Sequence, residues 1–194
     1  MRSTNARAAA NRSRIIAEAA RQFRARGFDG VGVAELMGGV GLTHGGFYGQ
    51  FAGKKELMAL ACRQAVADML AEWRARAEAA PDQPLRAITD PYLSPEHRDR
   101  PGEGCLMAAL GPEVARQAPG VREAVTDCLG DVLDTLASQV PGGDARSRRA
   151  AAIRTFASLV GALVAARAVS DPALSDEILA TVRAGIAEDA LTPR

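Results

Sequence analysis

The sequence predicts an all-α protein, and three observations point to this fold class. Alanine and leucine dominate the chain while aromatic residues make up only 4% of it, a composition that favours packed helices over strands. Apolar residues recur at helical spacing, as in Ile16, Ala19, Ala20 and Phe23. No stretch of any length alternates apolar and polar residues as a half-buried strand would.

The first eighty residues are predicted to form four helices. Asn11 or Ser13 can cap the start of the first helix, and Gly27 can end it in the left-handed conformation. A tight turn at Val40-Gly41-Leu42 follows the second helix, and Thr43 is a natural N-cap for the third, which contains Phe47 and Tyr48. The predicted helices span residues 14–26, 33–39, a short stretch after Thr43, and 54 to about 79.

Prolines mark a change in organisation near residue 81. Five of the ten prolines fall between residues 81 and 101, so helices there must be short or broken. Longer helical patterns resume further along the chain. They begin near Gly104, at Pro119 (to about 140), after a capping Asp144 (to about 169), and near residue 174 (to about 190).

Charge is distributed unevenly. Residues 1–60 carry nine Lys and Arg against four Asp and Glu, although the whole chain has a net charge of only +1. This asymmetry predicts a basic module that meets an anion and a second module with another role.

Cysteine usage and the N-terminal sequence predict a cytoplasmic protein. Three widely spaced cysteines, Cys62, Cys105 and Cys128, suit no disulfide framework. The basic start lacks the apolar stretch of a signal peptide, and the longest apolar run, 156–169, is interrupted by Arg167 and too short to span a bilayer. We therefore expect no membrane association.

The glycine-rich stretch GVGLTHGGFYGQFAGKKEL (39–57) does not match a nucleotide-binding loop. The segment most similar to a P-loop, residues 49–55, is one residue shorter than that motif and lacks the hydroxyl that binds a metal. His44 and His97 are the only histidines, and no cysteine pair has ligand spacing. With no catalytic constellation in the sequence, we expect no enzyme activity, metal or cofactor.

The same stretch has the spacing of a helix-turn-helix. A short helix, a glycine-containing turn and a second short helix are typical of proteins that read the major groove of DNA. Gly45, Gly46 and Gly49 would let the backbone approach DNA closely. Tyr48 offers a hydroxyl to a phosphate, and Lys54 lies at a helix N-terminus that also favours one.

Residues 12–61 resemble the DNA-binding domain of TetR-family transcriptional repressors, most specifically in GLTHGGFYGQF followed by KKEL. The resemblance implies about nine helices, with a three-helix helix-turn-helix domain in residues 1–58, including a basic tail in 1–11, and a larger effector-binding and dimerisation domain in 59–194. It places Thr43, Tyr48 and Lys54 at phosphate-contacting positions. It also implies a surface that faces the bases or lets the protein backbone come close to the DNA. This surface consists of His44, Gly45, Gly46, Gly49 and Gln50.

The chain departs from the family pattern where helix caps are expected. Gly32 and Gly53 replace capping hydroxyl residues, Gly38-Gly39 weakens the end of the second helix, and Gln50 stands where histidine is frequent. We therefore expect this region to be loosely ordered without DNA. The arginines at positions 2, 7, 12 and 14 can be an ordinary basic tail or an arm that reaches the DNA.

The second module is predicted to bind a small molecule and a second copy of the chain. Residues 150–169 are rich in small and branched residues all round, so this helix must be buried on several sides, either as a plain core helix or in an interface. We prefer a homodimer through helices at about 148–169 and 174–190 that form a four-helix interface. By resemblance, a small hydrophobic effector would release the repressor from a palindromic double-stranded DNA operator. The candidate pocket residues are Met69, Trp73, Tyr92, Cys105, Leu106, Met107, Leu110 and Phe156.

Two alternative functions remain open from the sequence. Cys105 lies at a helix start after flexible glycines, where backbone amides favour a thiolate, and its segment resembles that of TetR-type repressors that sense electrophiles or oxidants. A buried structural cysteine is the other interpretation. The second alternative is a helical small-molecule-binding protein without DNA function.

Overall fold

The computed structural model of the chain describes the backbone of residues 2–191 and the side chains of residues 6–188. Within these residues it contains nine α-helices and no strand, which confirms the predicted all-α fold. The helices are α1 (Arg2–Arg26), α2 (Val33–Gly39), α3 (Lys54–Ala79), α4 (Pro84–Tyr92), α5 (Pro95–Asp99), α6 (Leu106–Val114), α7 (Pro119–Ser138), α8 (Ala145–Ala168) and α9 (Pro172–Leu191). Single 3₁₀ turns lie at His44–Gly46 and Pro101–Glu103.

The N-terminal helices pack around a small aromatic core. Phe23 and Phe28 contact each other edge to face with their ring centroids 5.3 Å apart, and both are buried. Phe47 and Phe51 are also buried and lie 5.2 Å apart. Two turns of this region have positive φ at glycine, 79° at Gly27 and 71° at Gly41, as expected for the end of α1 and for the turn after α2.

The first predicted helix boundary is wrong. Helix α1 begins at Arg2 and not near residue 14, so Asn11 and Ser13 lie inside it and do not cap it. Residues 7–10 are mostly alanine, the best helix former, and this local preference extends the helix toward the N-terminus.

The predicted third helix is present as a single 3₁₀ turn that ends before Phe47 and Tyr48. His44–Gly46 forms one 3₁₀ turn, and residues 48–50 form a further turn, without a regular α-helix. Thr43 occupies the N-cap position, but its side chain makes no capping hydrogen bond. Gly45, Gly46 and Gly49 each disfavour an α-helix by about 1 kcal/mol relative to alanine, which accounts for the irregular backbone.

The C-terminal region is a bundle organised around α3 and α7. These two helices pack together, α7 packs on α8, and α8 packs on α9. Prolines stand in the first turn of α4, α5 and α7, where a missing N–H costs no helical hydrogen bond. Asp144 caps α8 by accepting a hydrogen bond from the backbone N–H of Ser147 at 2.7 Å, as predicted.

Helix α8 is longer than the apolar run of residues 156–169. By length and composition alone its 24 residues could cross a membrane, contrary to the expectation from residues 156–169, although core helices of globular proteins pass the same test. One face of α8 is buried through Ala152, Phe156 and Leu159. Its other face exposes Ile153 and Val164 by 48% and 42%. An interface with a second helical surface would cover these side chains.

Candidate DNA-binding surface and effector cavity

Residues 43–50, called the reading segment below, form an exposed surface on a buried aromatic base. Phe47, in the middle of the segment, is 1% exposed, and the neighbouring Phe51 is 3% exposed. The predicted contact residues point the other way. Those that are exposed are Thr43, His44, Gly45, Gly46, Tyr48 and Gly49, while Gln50 is half-buried.

Tyr48 is the most prominent side chain of this surface. It is 67% exposed, the largest value among the exposed large hydrophobic residues of the described chain. Its ring contacts Phe47 and His44 edge to face, with centroid distances of 5.2 Å and 5.8 Å. These contacts orient the aromatic ring while the hydroxyl remains free to donate to an acceptor outside the protein.

Arg12 holds the end of the reading segment against α1. Its guanidinium donates hydrogen bonds to the backbone carbonyl of Gln50 and to Glu56 Oε1, the latter at 2.8 Å, and stacks 4.4 Å above the Phe51 ring. The hydrogen bond from Arg12 lowers the pKa of Glu56, and the backbone N–H of Ala52 adds to this effect. Arg14 donates to the carbonyl of Val40 at 2.8 Å. Both arginines therefore bind the protein's own backbone; Arg2 lies outside the described side chains.

Lys54 also has an intramolecular partner. Its Nζ donates to the carbonyl oxygen of Phe28 at 2.6 Å, and the side chain is half-buried. The ammonium group has three hydrogens, so it can still meet a phosphate beside the start of α3. Lys55 is exposed.

The C-terminal region contains a cavity of about 280 Å³ that lies between α3, α4, α5 and the start of α6. A second cavity of about 10 Å³ is lined by residues of α3, α6, α7 and α8. Of the predicted pocket residues, Met69, Trp73, Tyr92 and Cys105 line the larger cavity, and Leu106, Met107 and Phe156 line the smaller one together with Met69 and Cys105. Leu110 is 1% exposed and lines neither.

The lining of the larger cavity is more polar than the sequence indicated. Arg24, Glu72, Arg76 and His97 contribute to it in addition to the apolar groups. Sequence reasoning missed these residues because the set spans 73 positions of the chain, from Arg24 to His97, and carries no motif. Only the folding of α1, α3 and α5 around one space brings them together.

His97 is fixed at the wall by two backbone contacts. Its Nδ1 donates to the carbonyl of Tyr92 at 2.7 Å, and its Nε2 accepts from the backbone N–H of Cys105 at 3.0 Å. This arrangement requires the neutral ring, and burial, assisted by the charge of Arg167, lowers the pKa of His97. A side chain at Gly104 would have its Cβ 2.3 Å from Nε2, so the His97 ring or the backbone would have to shift to admit it.

The three cysteines differ in their surroundings. All are buried and free of disulfides. Burial raises the pKa of Cys62 to about 12 and also raises that of Cys128, which fits their predicted structural role. Cys105 forms the N-cap of α6 and alone among them lines the larger cavity.

Comparison with protein families accounts for most of the chain. Residues 15–61 match the family model described as bacterial regulatory proteins, tetR family. Residues 81–182, more than half of the chain, match the model of a tetracyclin repressor-like C-terminal domain. The chain belongs to the TetR family. TetR-family proteins are DNA-binding transcriptional regulators, with a helix-turn-helix domain followed by a ligand-binding domain.

Solved structures of other regulators have the same fold as this TetR-family chain. A TetR-family regulator from Cytophaga hutchinsonii has a TM-score of 0.78 at 20% identity, over 94% of this chain and 96% of its own. The reduced form of NemR from E. coli has a TM-score of 0.76 at 20% identity, over 92% and 95%. SCO4454, a TetR-family transcriptional regulator from Streptomyces coelicolor, has a TM-score of 0.71 at 26% identity, over 98% and 96%. No curated protein gives a significant match.

Proposed function

We propose that this TetR-family regulator is a cytoplasmic homodimeric repressor that binds a palindromic operator and leaves it when a small molecule binds. The supporting observation is the reading segment, whose polar groups and glycine backbone face outward from the buried Phe47 and Phe51. Such a surface fits a major groove, while a segment that served only the core would bury Tyr48.

The proposed DNA contacts divide into positioning and reading groups. Thr43, Tyr48 and Lys54 donate hydrogen bonds to phosphates and set the position of the protein on the duplex. His44 and Gln50 face base edges. The three glycines Gly45, Gly46 and Gly49 reduce the bulk between the protein backbone and the groove.

Dimerisation supplies the second half-site. The exposed face of α8 carries Ile153, Ala157, Gly161 and Val164 at helical spacing, and Leu174 on α9 is also exposed, by 42%. Burying these groups between two copies gives a two-fold axis, which places the reading segments about 34–36 Å apart, or at a multiple of that distance.

We expect I153E combined with V164E to yield monomers in light scattering, whereas the exposed-site control E123Q stays dimeric.

Selection of bound fragments from the source genome, followed by anisotropy titration, tests the DNA proposal. We expect a palindromic site that is bound about a thousandfold tighter than random DNA. Its affinity should fall steeply between about 50 mM and about 200 mM salt, because phosphate contacts release counterions. A folded dimer that enriches no site would instead favour a small-molecule-binding protein without DNA function.

A second candidate function, thiol-based sensing through Cys105, is favoured by the groups around that residue. The Tyr92 hydroxyl and the Arg167 Nη1 are both buried and have no hydrogen-bond partner among the described residues. Burial raises the pKa of Tyr92, and the Cys105 thiol adds to this rise. Two donors without an acceptor can stabilise the sulfenate oxygen that forms when hydrogen peroxide transfers one oxygen atom to Sγ and leaves as water.

Cysteine variants test this second function. We expect hydrogen peroxide or a quinone to release the wild-type protein from DNA, and C105S to remain bound. C62S and C128S are the matched controls and should respond as wild type does. Release of C105S at wild-type oxidant concentration would reject thiol sensing while leaving effector-controlled repression unaffected.

A further inference from the structure

Arg24 connects the larger cavity to the DNA-binding region. It lies on α1, whereas most of the wall comes from α3, α4 and the segment around α5. Its Nε donates to the carbonyl oxygen of Gly102 at 2.9 Å, which holds the guanidinium beside the cavity. Burial lowers the pKa of Arg24, so its positive charge is incompletely hydrated.

The rest of this guanidinium has no partner among the side chains and backbone groups that the structure describes. No carboxylate among the described side chains lies within 4.0 Å of it, and its two Nη groups donate no hydrogen bond to those residues. They also retain contact with the open space, since neither is among the sealed polar atoms. A partly desolvated guanidinium with free Nη groups is a site for a planar anion, which it can bind through two parallel hydrogen bonds.

Most of the other charges around the cavity are paired with each other, whereas Asp68, within the described part of the chain, accepts only from the neutral Gln64 side chain. Glu72 pairs with Arg76. Arg100 lies 3.2 Å from Glu96 and 3.7 Å from Glu103. Arg24 is therefore the cavity-lining cation that has no ion-pair partner among the described residues, and it is the group on which an anion can bind.

An apolar surface completes the cavity. Trp73 and Tyr92 meet edge to face with ring centroids 6.1 Å apart, and Met69 and Pro91 flank them. A volume of about 280 Å³ is near the lower end of small-molecule sites. One ring or a short alkyl chain therefore fits better than a large polycyclic ligand.

We propose that the effector is a small organic anion, a carboxylate on an aromatic or short aliphatic body. Its carboxylate binds the Arg24 Nη groups and its body packs on Trp73 and Met69. A single guanidinium matches one carboxylate, whereas a phosphate dianion would meet too little positive charge in a cavity that Asp68 and three glutamates also line. This proposal rests on small-molecule control of DNA binding and adds that the ligand contacts α1 of the DNA-binding region directly.

Calorimetry of the full-length protein tests the ligand class with four probe pairs. The carboxylates are benzoate, cinnamate, hexanoate and octanoate, and each is compared with its neutral amide. We expect at least one carboxylate to bind about tenfold or more tighter than its amide, because a hydrogen-bonded charge pair replaces a neutral contact. R24Q should remove that preference and R24K should retain part of it. R74Q, which removes an exposed charge of α3 away from the cavity, should bind as wild type does.

Two results would overturn the assignment. One is a panel in which no carboxylate binds tighter than its amide; the other is a preference that survives in R24Q. Operator anisotropy with the same proteins separates this outcome from the proposed function. If the ligand-free wild type binds no operator, the proposed repressor function is contradicted. If a carboxylate binds through Arg24 but leaves operator affinity unchanged, its role as effector is contradicted.

Discussion

Glu113 accepts a hydrogen bond from the backbone N–H of Phe28, with 2.8 Å between N and Oε2. Glu113 lies on α6, and Phe28 follows α1, so this contact joins the cavity region to the DNA-binding region. Phe28 is fully buried, and its carbonyl accepts from Lys54 at the start of α3. Phe28 thus donates one hydrogen bond to α6 and accepts another from the start of α3, so its backbone links the two helices.

We expect E113A to weaken both stability and the response to effector. The variant leaves the buried Phe28 N–H without an acceptor, which costs about 1–3 kcal/mol in the free energy of unfolding. Chemical denaturation measures this cost, and operator titration with effector measures the coupling. E123A, which removes an exposed carboxylate of α7, is the control. Unchanged stability of E113A would mean that water replaces the carboxylate at no cost.

We expect Y48F to weaken operator binding about tenfold, because a hydrogen bond to a charged phosphate is lost. Its unfolding free energy should change by less than about 0.5 kcal/mol, since the ring stays and the hydroxyl is exposed. F47A is the contrasting variant: it empties the buried base of the reading segment and should cost about 3–5 kcal/mol. Wild-type affinity in Y48F would remove Tyr48 from the set of DNA contacts.

The reading segment should be less protected than the bundle in the free protein. It contains a single 3₁₀ turn, and the side chain at its N-cap position, Thr43, makes no capping hydrogen bond. We therefore expect faster amide hydrogen exchange in residues 32–53 than in α7 and α8. The Cβ of alanine at Gly45 would meet no atom within 4 Å. G45A should therefore slow exchange in this segment while it weakens operator binding by adding a methyl group at the groove. Equally slow exchange throughout wild type would contradict a loosely ordered segment.

Stability should fall in mildly acidic solution because of His97. Burial lowers the pKa of its folded form below the ordinary value of 6.5, so the unfolded chain binds the proton more readily. The contribution is fully present above about pH 7.5 and is lost as the pH falls through 6.5 toward the folded pKa. The groups that face the ring are the Tyr92 carbonyl, the Cys105 N–H, Arg167, Glu72 and Arg76.

Denaturation between about pH 7.5 and about pH 5 measures this slope, which H97N should reduce. The carboxylates with shifted pKa values, such as Glu18 and Glu56, have lowered values and lose their contribution at more acidic pH. An identical slope in H97N would assign the pH dependence to another group.

We expect G104A to destabilise the protein by about 1–3 kcal/mol, because its Cβ would lie 2.3 Å from His97 Nε2 and force the ring from its place. G130A is a matched control inside α7, where a Cβ meets no atom within 4 Å. It should stabilise the helix by about 0.5–1 kcal/mol. Thermal unfolding of the two variants gives the comparison, and a neutral G104A would show that the ring has room to move.

Several elements could be predicted because their signals are local. Gly27 and Gly41 end α1 and α2 with positive φ, Asp144 caps α8, and Lys54 begins α3, all as the sequence indicates. The start of α1 and the helical state of the reading segment could not be predicted. In both places helix propensity competes with signals of similar strength from capping residues and glycines. The domain division at residues 58 and 59 stays a prediction, since α3 runs through it without a break.

The sequence by itself determined the all-α fold, the helix-turn-helix spacing and the outward position of Tyr48, because periodicity, turn glycines and buried aromatics act over a few residues. Only the tertiary structure decided which partners the long charged side chains bind. Arg12 binds the Gln50 carbonyl, Arg24 reaches the cavity beside Gly102, and Glu113 meets Phe28 across 85 positions of the chain. A long charged side chain binds the groups that lie within its reach once the helices have packed. Hydrophobic burial determines that packing and does not depend on the charges.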